Sequence, residues 1–163
     1  MAARLTLIAA VSADGFISRG QGVPWDLPRD RAHFRATTAG RWLLLGRRTY
    51  EEMLGWFRDH TPLVLTRDAR YTPPFGKAVR SIADALTQAD SHELFVCGGS
   101  TAYQAAIPHA DRLLITHVET RLGTGVPFPV IDATWRLVSE EIHAADAENA
   151  HAIRFAEYHR LST

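Results

Sequence analysis

The sequence predicts an α/β protein whose strands form a largely parallel sheet. Short apolar runs alternate with helix-compatible segments along most of the 163 residues, which is typical of repeated strand–helix–strand units. The carboxyl-terminal part changes character, because two strand-like runs flank a polar stretch there and predict a closing antiparallel hairpin. The length is that of one ordinary domain, so we expect a single domain over residues 1–163.

Each predicted strand is a short run of mostly branched apolar residues bounded by Gly or Pro. The parallel strands are Leu5 to Val11, Trp42 to Leu45, Leu63 to Leu65, Leu94 to Cys97 and Leu113 to Val118, and the hairpin strands are Trp135 to Ile142 and Ala152 to Tyr158. The predicted helices are Pro28 to Thr37, Thr49 to Leu54, Ser81 to Gln88 and Thr101 to Ile107. Two of these helices carry the spacing of a capping box, Thr49 with Glu52 and Ser81 with Asp84.

The composition excludes several classes of protein. Eighteen basic residues balance eighteen acidic ones, and 46% of the chain is hydrophobic, which argues against disorder and against a broad nucleic-acid surface. The eight histidines show no paired metal-ligand spacing, so we expect no metal site. Cys97 is the only cysteine, which excludes an internal disulfide and favours a reducing, cytoplasmic setting.

We expect no membrane segment. No apolar run approaches the roughly 18 residues that a spanning helix needs. The early run Leu5 to Val11 stands behind the single basic residue Arg4, and it is short for a secretory signal.

An acidic residue stands out on the first predicted helix. Leu27, Asp30 and Phe34 are spaced as i, i+3 and i+7, which places the Asp30 carboxylate on the apolar face of that helix. A first-turn acid also interacts favourably with the helix dipole, so a purely structural role for Asp30 stays open. Trp25, just before this helix, fits a core position as well as a site.

Two glycine-containing turns join a strand to a helix and are candidates for phosphate binding. Gly46-Arg47-Arg48-Thr49 places two guanidinium groups at a helix start, where free N–H groups attract anions. Gly98-Gly99-Ser100-Thr101 allows close approach of the backbone to a pyrophosphate. Each turn could also have no binding function. Paired arginines often lie on a solvated surface, and glycines often provide only the backbone angles that a turn requires.

The second turn also resembles a nucleophile elbow. Gly98-x-Ser100-x-Ala102 after a strand is compatible with a serine hydrolase, in which Asp132 or Asp146 and then His151 or His159 would complete the triad. Such hydrolases require a longer chain than this one, which weighs against the alternative.

Taken together, these motifs resemble dihydrofolate reductase. The resemblance is carried by Leu7-Ile8-Ala9-Ala10, Pro24-Trp25-x-Leu27-Pro28-x-Asp30-x-x-x-Phe34, Gly46-Arg47-x-Thr49, Gly98-Gly99 with Tyr103, and Thr116-His117. Order and spacing match the bacterial enzymes from the first strand to Thr116, and Asp146-Ala147-x-Asn149 is similar to the connection before the family's last strand.

The resemblance implies reduction of 7,8-dihydrofolate to tetrahydrofolate by hydride transfer from NADPH, in a monomer that acts on a small molecule. It implies that Asp30 binds the pterin, with Trp25, Thr116 and Tyr103 completing the catalytic set. The implied substrate-binding residues are Ile8, Asp30, Arg31, Phe34, His60, Cys97 and Thr116. The implied cofactor-binding residues are Ala10, Ile17, Arg47, Arg48, Thr49, Leu65, Thr66, Arg67, Gly98, Gly99, Ser100, Thr101 and Tyr103.

The sequence departs from the family at two places. His60 stands where an arginine normally grips the folate's α-carboxylate, and Arg58 is a competing candidate for that role. Gly125 replaces an acid that helps to hold the loop Ser12 to Val23 over the site. These departures keep a related-fold reductase of the riboflavin pathway as an alternative, and they allow an antifolate-insensitive variant of dihydrofolate reductase.

Overall fold

The computed structural model describes residues 4–20 and 22–161. Gln21, which falls in the predicted covering loop, lies outside these residues. The described residues form ten strands, four α-helices and one 3₁₀ turn, and eight of these strands form one sheet in the order β5-β4-β3-β6-β1-β7-β10-β9. The strands are β1 (Leu5–Ser12), β2 (Phe16–Ser18), β3 (Trp42–Gly46), β4 (Thr61–Leu65), β5 (Lys77–Val79), β6 (Leu94–Val96), β7 (Arg112–Val118), β8 (Val126–Pro127), β9 (Trp135–His143) and β10 (Ile153–Arg160). The helices are α1 (Pro28–Thr38), α2 (Arg47–Glu52), α3 (Ile82–Ala89) and α4 (Ser100–Ala106), and the 3₁₀ turn is Ile107–His109.

The contacts divide the chain into two units that share β1. The first takes in the described residues up to Leu7 together with Thr38–Ala110, and the second contains Ile8–Thr37 and the described residues from Asp111 onward. The single domain expected over residues 1–163 therefore stays a prediction.

The first unit carries the parallel part of the sheet. β1 pairs with β6, β6 with β3, β3 with β4 and β4 with β5, all in parallel. Leu43, Leu44 and Leu45 of β3 and Leu63 of β4 are wholly buried, as expected for strands covered on both faces. Gly46 and Leu65 are register partners, so the chain leaves β3 and β4 side by side at their carboxyl ends.

The second unit carries the antiparallel hairpin. β10 pairs with β9 on one side and with β7 on the other, and Phe155 is the register partner of Thr116. A small core of Leu27, Val118 and Ile153 joins the start of α1 to these strands. The predicted α/β class, with a mostly parallel sheet and a closing hairpin, is confirmed.

The two predicted capping boxes have different outcomes. Asp84 N donates to Ser81 Oγ at 3.0 Å, so Ser81 caps α3, although the Asp84 carboxylate returns to Arg80 N rather than to Ser81 N. The box at Thr49 is wrong, because α2 starts earlier, at Arg47, and Gly46 is its N-cap without a side-chain bond. The short strands β2, β5 and β8 were not predicted, since two or three residues leave no periodicity to detect.

Candidate active site

Asp30 lies in the first turn of α1, which Pro28 opens at a position that needs no backbone N–H. The Asp30 side chain is half-buried, and its Oδ1 accepts a hydrogen bond from Thr116 Oγ1 at 2.6 Å. Burial raises the pKa of Asp30, while the Thr116 hydrogen bond and the charge of His33 oppose part of the rise. The contact between Asp30 and Thr116 that the resemblance implies is therefore present, and a carboxyl in this state is suited to binding and proton exchange.

Trp25 packs beside the small core under this carboxylate. Its ring lies against the cluster of Leu27, Val118 and Ile153, as does Ala10 at the end of β1. Trp25 Nε1 is buried and has no hydrogen-bond partner among the described residues. A buried indole N–H normally binds water or ligand, so its position fits the expected support of this region through an ordered water.

Three further predicted substrate-binding residues, Ile8, Arg31 and Phe34, lie in the same unit, as does Ile17, which was predicted to bind the cofactor. Ile8 is buried in β1, whereas Phe34 on α1 and Ile17 on β2 are half-buried. Arg31 is exposed on α1 and pairs with Asp26. Arg31 is thus held at the solvent side of the helix by an acid that sequence reasoning left unassigned.

His33 is a neighbour of Asp30 that sequence reasoning missed. Its ring stacks on Phe155 with 3.9 Å between ring centroids and 22° between planes. Burial lowers the pKa of His33, and the Asp30 carboxylate acts in the opposite direction. His33 also lines a cavity of about 250 Å³ with Phe155 and Glu141, which none of the predicted substrate-binding residues lines. The signal was available, because residues three apart on a helix share a face.

His60, which the resemblance implies as a substrate-binding residue, is buried. Its side chain is 1% exposed, its Nδ1 accepts a hydrogen bond from Arg58 N at 3.1 Å, and its ring stacks on Trp56 at 4.6 Å. The ring is therefore enclosed by its own turn, and the binding of the folate α-carboxylate by His60 stays a prediction. The competing candidate, Arg58, donates from Nη1 to the carbonyl oxygens of 55–57.

The Asp14 carboxylate fixes the segment after β1 by hydrogen bonds. Sequence reasoning assigned this residue no role. Its carboxylate accepts hydrogen bonds from Leu122 N at 3.0 Å, Gly123 N at 2.7 Å and Ser12 Oγ at 2.6 Å. These bonds hold its pKa well below the usual range for a carboxyl. Asp14 lies within the loop Ser12 to Val23, and its two backbone partners, Leu122 and Gly123, lie close in sequence to Gly125.

Gly125 has no room for the acid that the family carries at its place. Its φ is +150°, and an added Cβ would lie 2.2 Å from Ser18 O. The close approach of β2 and β8 therefore excludes a side chain here.

In the first unit, two glycine turns meet at the ends of β3 and β6. Gly46 N donates to Gly98 O at 2.7 Å, and the Gly98–Gly99 peptide bond is cis. Gly98 has φ +125°, and an added Cβ on Gly99 would lie 3.2 Å from Thr49 Oγ1. Side chains are thus excluded from a backbone surface of the kind that approaches phosphate closely.

The residues that follow this turn have distinct surroundings. Ser100 is half-buried at the start of α4, Thr101 is exposed and Tyr103 is buried. Tyr103 N donates to Gly99 O at 2.9 Å, which ties the helix to the turn. Burial raises the pKa of the Cys97 thiol, which donates to Phe95 O, so this cysteine is inert.

The predicted arginines differ in their partners. Arg47 pairs with Glu51 and Asp68, and Arg48 pairs with Glu52. Arg67 is exposed, and no ion pair joins it to the described part of the chain. It directly follows Thr66, whose Oγ1 accepts a hydrogen bond from Asp68 N at 3.1 Å, and the half-buried Leu65 at the end of β4.

These features fit an anionic dinucleotide. The glycine surface would be filled by any added Cβ, and the adjacent strand ends carry the Arg47 and Arg67 guanidinium groups. NADPH, which the resemblance implies, has phosphates for both features.

The hydrolase alternative finds no support in the local geometry. The nucleophile of an elbow sits on a strained turn, yet Asp90 is the only non-glycine residue with positive φ within 4–20 and 22–161. Asp132, Asp146 and His159, three of its four proposed partners, are engaged elsewhere, with Thr134, with Arg29 and Asn149, and with Glu157.

Metal ligands and membrane helices were searched over the same described residues. No group of three or more His, Cys, Asp or Glu side chains there could hold a metal ion. No helix formed by those residues is long and apolar enough to cross a membrane.

Comparison with known proteins gives one consistent result. The family model described as dihydrofolate reductase matches residues 4–160. The chain is 38% identical over 137 residues to a dihydrofolate reductase of Mycobacterium tuberculosis, covering 80% of this chain and 83% of that one. It is 31% identical over 153 residues to dihydrofolate reductase type 3 of Salmonella typhimurium, covering 93% and 94%.

Among solved structures, a dihydrofolate reductase from Enterococcus faecalis complexed with NADP(H) superposes with a TM-score of 0.89 at 28% identity. The similarity covers 99% of this chain and 100% of that one. These matches give no support to the riboflavin-pathway or serine-hydrolase alternatives. The family expected from the motifs is confirmed, and the chain belongs to the dihydrofolate reductase family.

Proposed function

We propose that this protein reduces 7,8-dihydrofolate to 5,6,7,8-tetrahydrofolate with NADPH, and that Asp30 is the residue on which the reaction depends. The observation that carries the proposal is the half-buried Asp30 carboxylate bonded to Thr116 in a chain of this family. Burial raises the pKa of Asp30, and the apolar Phe34 lies one turn further along the same helix.

The role of Asp30 follows from its geometry. Oδ1 accepts from Thr116 Oγ1, and a carboxylate oxygen has a second lone pair, so both oxygens can still accept hydrogen bonds. A carboxylate binds an exocyclic amine and the adjacent ring N–H through two parallel bonds, which orients the pterin. Its negative charge also favours protonation of the pterin ring at the nitrogen next to the carbon that receives hydride.

Thr116 and Trp25 would keep this carboxylate in place. Thr116 is buried on β7 and fixes one oxygen of Asp30. Trp25 would bind an ordered water through Nε1 and wall the site together with Ile8 and Phe34. Packing of this kind excludes bulk water, which strengthens the charge–dipole interactions with the pterin.

The first unit would bind the cofactor. NADPH supplies the hydride when it is bound. The turns at Gly46 and at Gly98–Gly99, with Thr49 and the start of α4, would receive the pyrophosphate, and Thr66 with Arg67 would receive the 2′-phosphate. Tyr103 would contact the nicotinamide end. For Ala10 and Ile17, which belong to the second unit, the cofactor contact that the resemblance implies stays a prediction.

The test follows the absorbance of NADPH in the presence of dihydrofolate. We expect oxidation of one NADPH for each dihydrofolate reduced, and loss of most turnover in Asp30→Asn with retained NADPH binding. Turnover that needs no dihydrofolate, or that Asp30→Asn leaves intact, would contradict the proposal.

We also propose that the enzyme acts as a monomer in the cytoplasm. A single cysteine excludes an internal disulfide and suits a reducing compartment, and burial raises the pKa of its thiol, which disfavours a disulfide between subunits. Sedimentation of the purified protein and fractionation of the cells that produce it test the two statements separately.

A further inference from the structure

Asp68 is a carboxylate held rigidly next to the predicted 2′-phosphate position. Its Oδ1 accepts a hydrogen bond from Arg70 N at 2.9 Å, and its own N–H donates to Thr66 Oγ1 at 3.1 Å. Its Oδ2 lies 3.4 Å from Arg47 Nη1. The turn after β4 therefore aims one oxygen of this acid at Arg47.

Arg47 is occupied on three sides. Besides Asp68 at Nη1, its Nε donates to Glu51 Oε1 at 3.0 Å, and its guanidinium carbon lies 4.1 Å from the ring centroid of Tyr71. Two carboxylates thus compensate this cation before any anionic ligand arrives.

The four charges lie on two chain segments that leave the sheet side by side. Arg47 follows Gly46 and Arg67 lies two residues beyond Leu65, and Gly46 and Leu65 are register partners in β3 and β4. Two guanidinium groups, Arg47 and Arg67, are set against two carboxylates, Glu51 and Asp68, so their formal charges cancel. The two carboxylates therefore offset part of the attraction that these guanidinium groups exert on a phosphate dianion.

We propose that Asp68 is a specificity-determining residue that weakens the preference of this protein for NADPH over NADH. The proposal rests on the proposed function, because it takes NADPH as the cofactor. Asp68 acts by neutralising Arg47 and by repelling the 2′-phosphate, the only group by which the two cofactors differ. NADH carries no charge at this position, and its binding is insensitive to Asp68.

A competing role for Asp68 predicts the opposite change in NADPH binding. If Asp68 served mainly to hold Arg47 ready for the phosphate, its removal would weaken NADPH binding. The three partners of Arg47 argue against this, because Glu51 and Tyr71 still hold the guanidinium when the Asp68 charge is absent.

The experiment measures the dissociation constants of NADPH and NADH for Asp68→Asn by fluorescence titration, without turnover. Asparagine keeps an oxygen that can accept from Arg70 N, so the turn is preserved. We expect NADPH binding to tighten roughly three- to tenfold, NADH binding to stay within about twofold, and the gain to shrink in high salt. Glu51→Gln removes the other carboxylate on Arg47 and is expected to act in the same direction.

Asp90→Asn is the matched control. It makes the same change of charge at an exposed residue of the first unit, and the substitution keeps the size of the side chain. We expect no change in either constant.

Three outcomes would overturn the proposal. These are weaker NADPH binding in Asp68→Asn, an equal change for both cofactors, or an equal gain in Asp90→Asn. If the parent protein bound neither cofactor, both this proposal and the proposed function would fail. If the parent binds NADPH but Asp68→Asn changes both dissociation constants equally, only the role of Asp68 is refuted.

Discussion

Replacing Asp30 by asparagine separates the chemistry of this site from its stability. The substitution keeps the shape of the side chain, and an amide oxygen can still accept the hydrogen bond from Thr116 Oγ1. What is lost is the negative charge that binds the pterin and favours its protonation. We therefore expect hydride transfer to dihydrofolate at neutral pH to fall by about 10²- to 10⁴-fold, the usual contribution of a positioned acid–base group.

The same substitution is expected to stabilise the fold. Burial raises the pKa of Asp30 above its usual value of 3.8, so the folded state binds this proton more tightly than the unfolded state. The ionised carboxylate consequently costs stability above the raised pKa, and that cost disappears as the pH falls towards 3.8. Asp30→Asn removes the cost, so its melting temperature should exceed that of the parent at pH 7, with a smaller difference in acid.

Single-turnover reduction and thermal unfolding test the two effects on the same preparations. Glu148→Gln, an exposed residue of the second unit, controls for the loss of one negative charge. A rate for Asp30→Asn within about twofold of the parent would remove Asp30 from the mechanism. A melting temperature below that of the parent at pH 7 would instead show that the charge stabilises the fold, which contradicts the burial argument.

Three further substitutions test other parts of the structure. Arg67→Ala should weaken NADPH binding by roughly 1.5 to 3 kcal/mol with little effect on NADH binding, because the exposed guanidinium would bind the 2′-phosphate. Equal losses for both cofactors would refute this role of Arg67. Ser81→Ala should lower the free energy of unfolding by about 1 kcal/mol in a denaturant titration, since Asp84 N loses its hydrogen-bond acceptor. An unchanged midpoint and slope would refute the contribution of the Ser81 cap to stability. Gly125→Asp should lower the melting temperature, at a cost of at least about 1 kcal/mol, because the added Cβ would lie 2.2 Å from Ser18 O. A variant as stable as the parent would show that the backbone at Ser18 moves away without cost.

Local sequence determined most of the elements and several of the site residues. The alternation of apolar runs and helical segments predicted the class, because burial on both faces of parallel strands leaves continuous apolar runs. Helical spacing placed Asp30 on an apolar face, and Ser81 with Asp84 marked the start of α3. Such signals span a few residues, so the sequence displays them directly.

The tertiary structure decided what those residues contact. Thr116 is 86 positions from Asp30, and only the packing of α1 on β7 brings its hydroxyl to the carboxylate. His60 looked like an accessible cation, yet the turn around it buries the ring against Trp56. Burial and partners depend on residues distant in sequence, and a single sequence contains no local signal for them.

The same difference between local sequence and tertiary structure applies to the charges near the proposed cofactor site. The pair Arg47-Arg48 is visible in the sequence, but the pairing of β3 with β4 brings Asp68 to Arg47 and leaves Arg67 exposed. Residue types and spacing determined which groups could bind a phosphate. The register of neighbouring strands decided which of those groups is already neutralised, because the energy of a charge depends on the distance to every other charge around it.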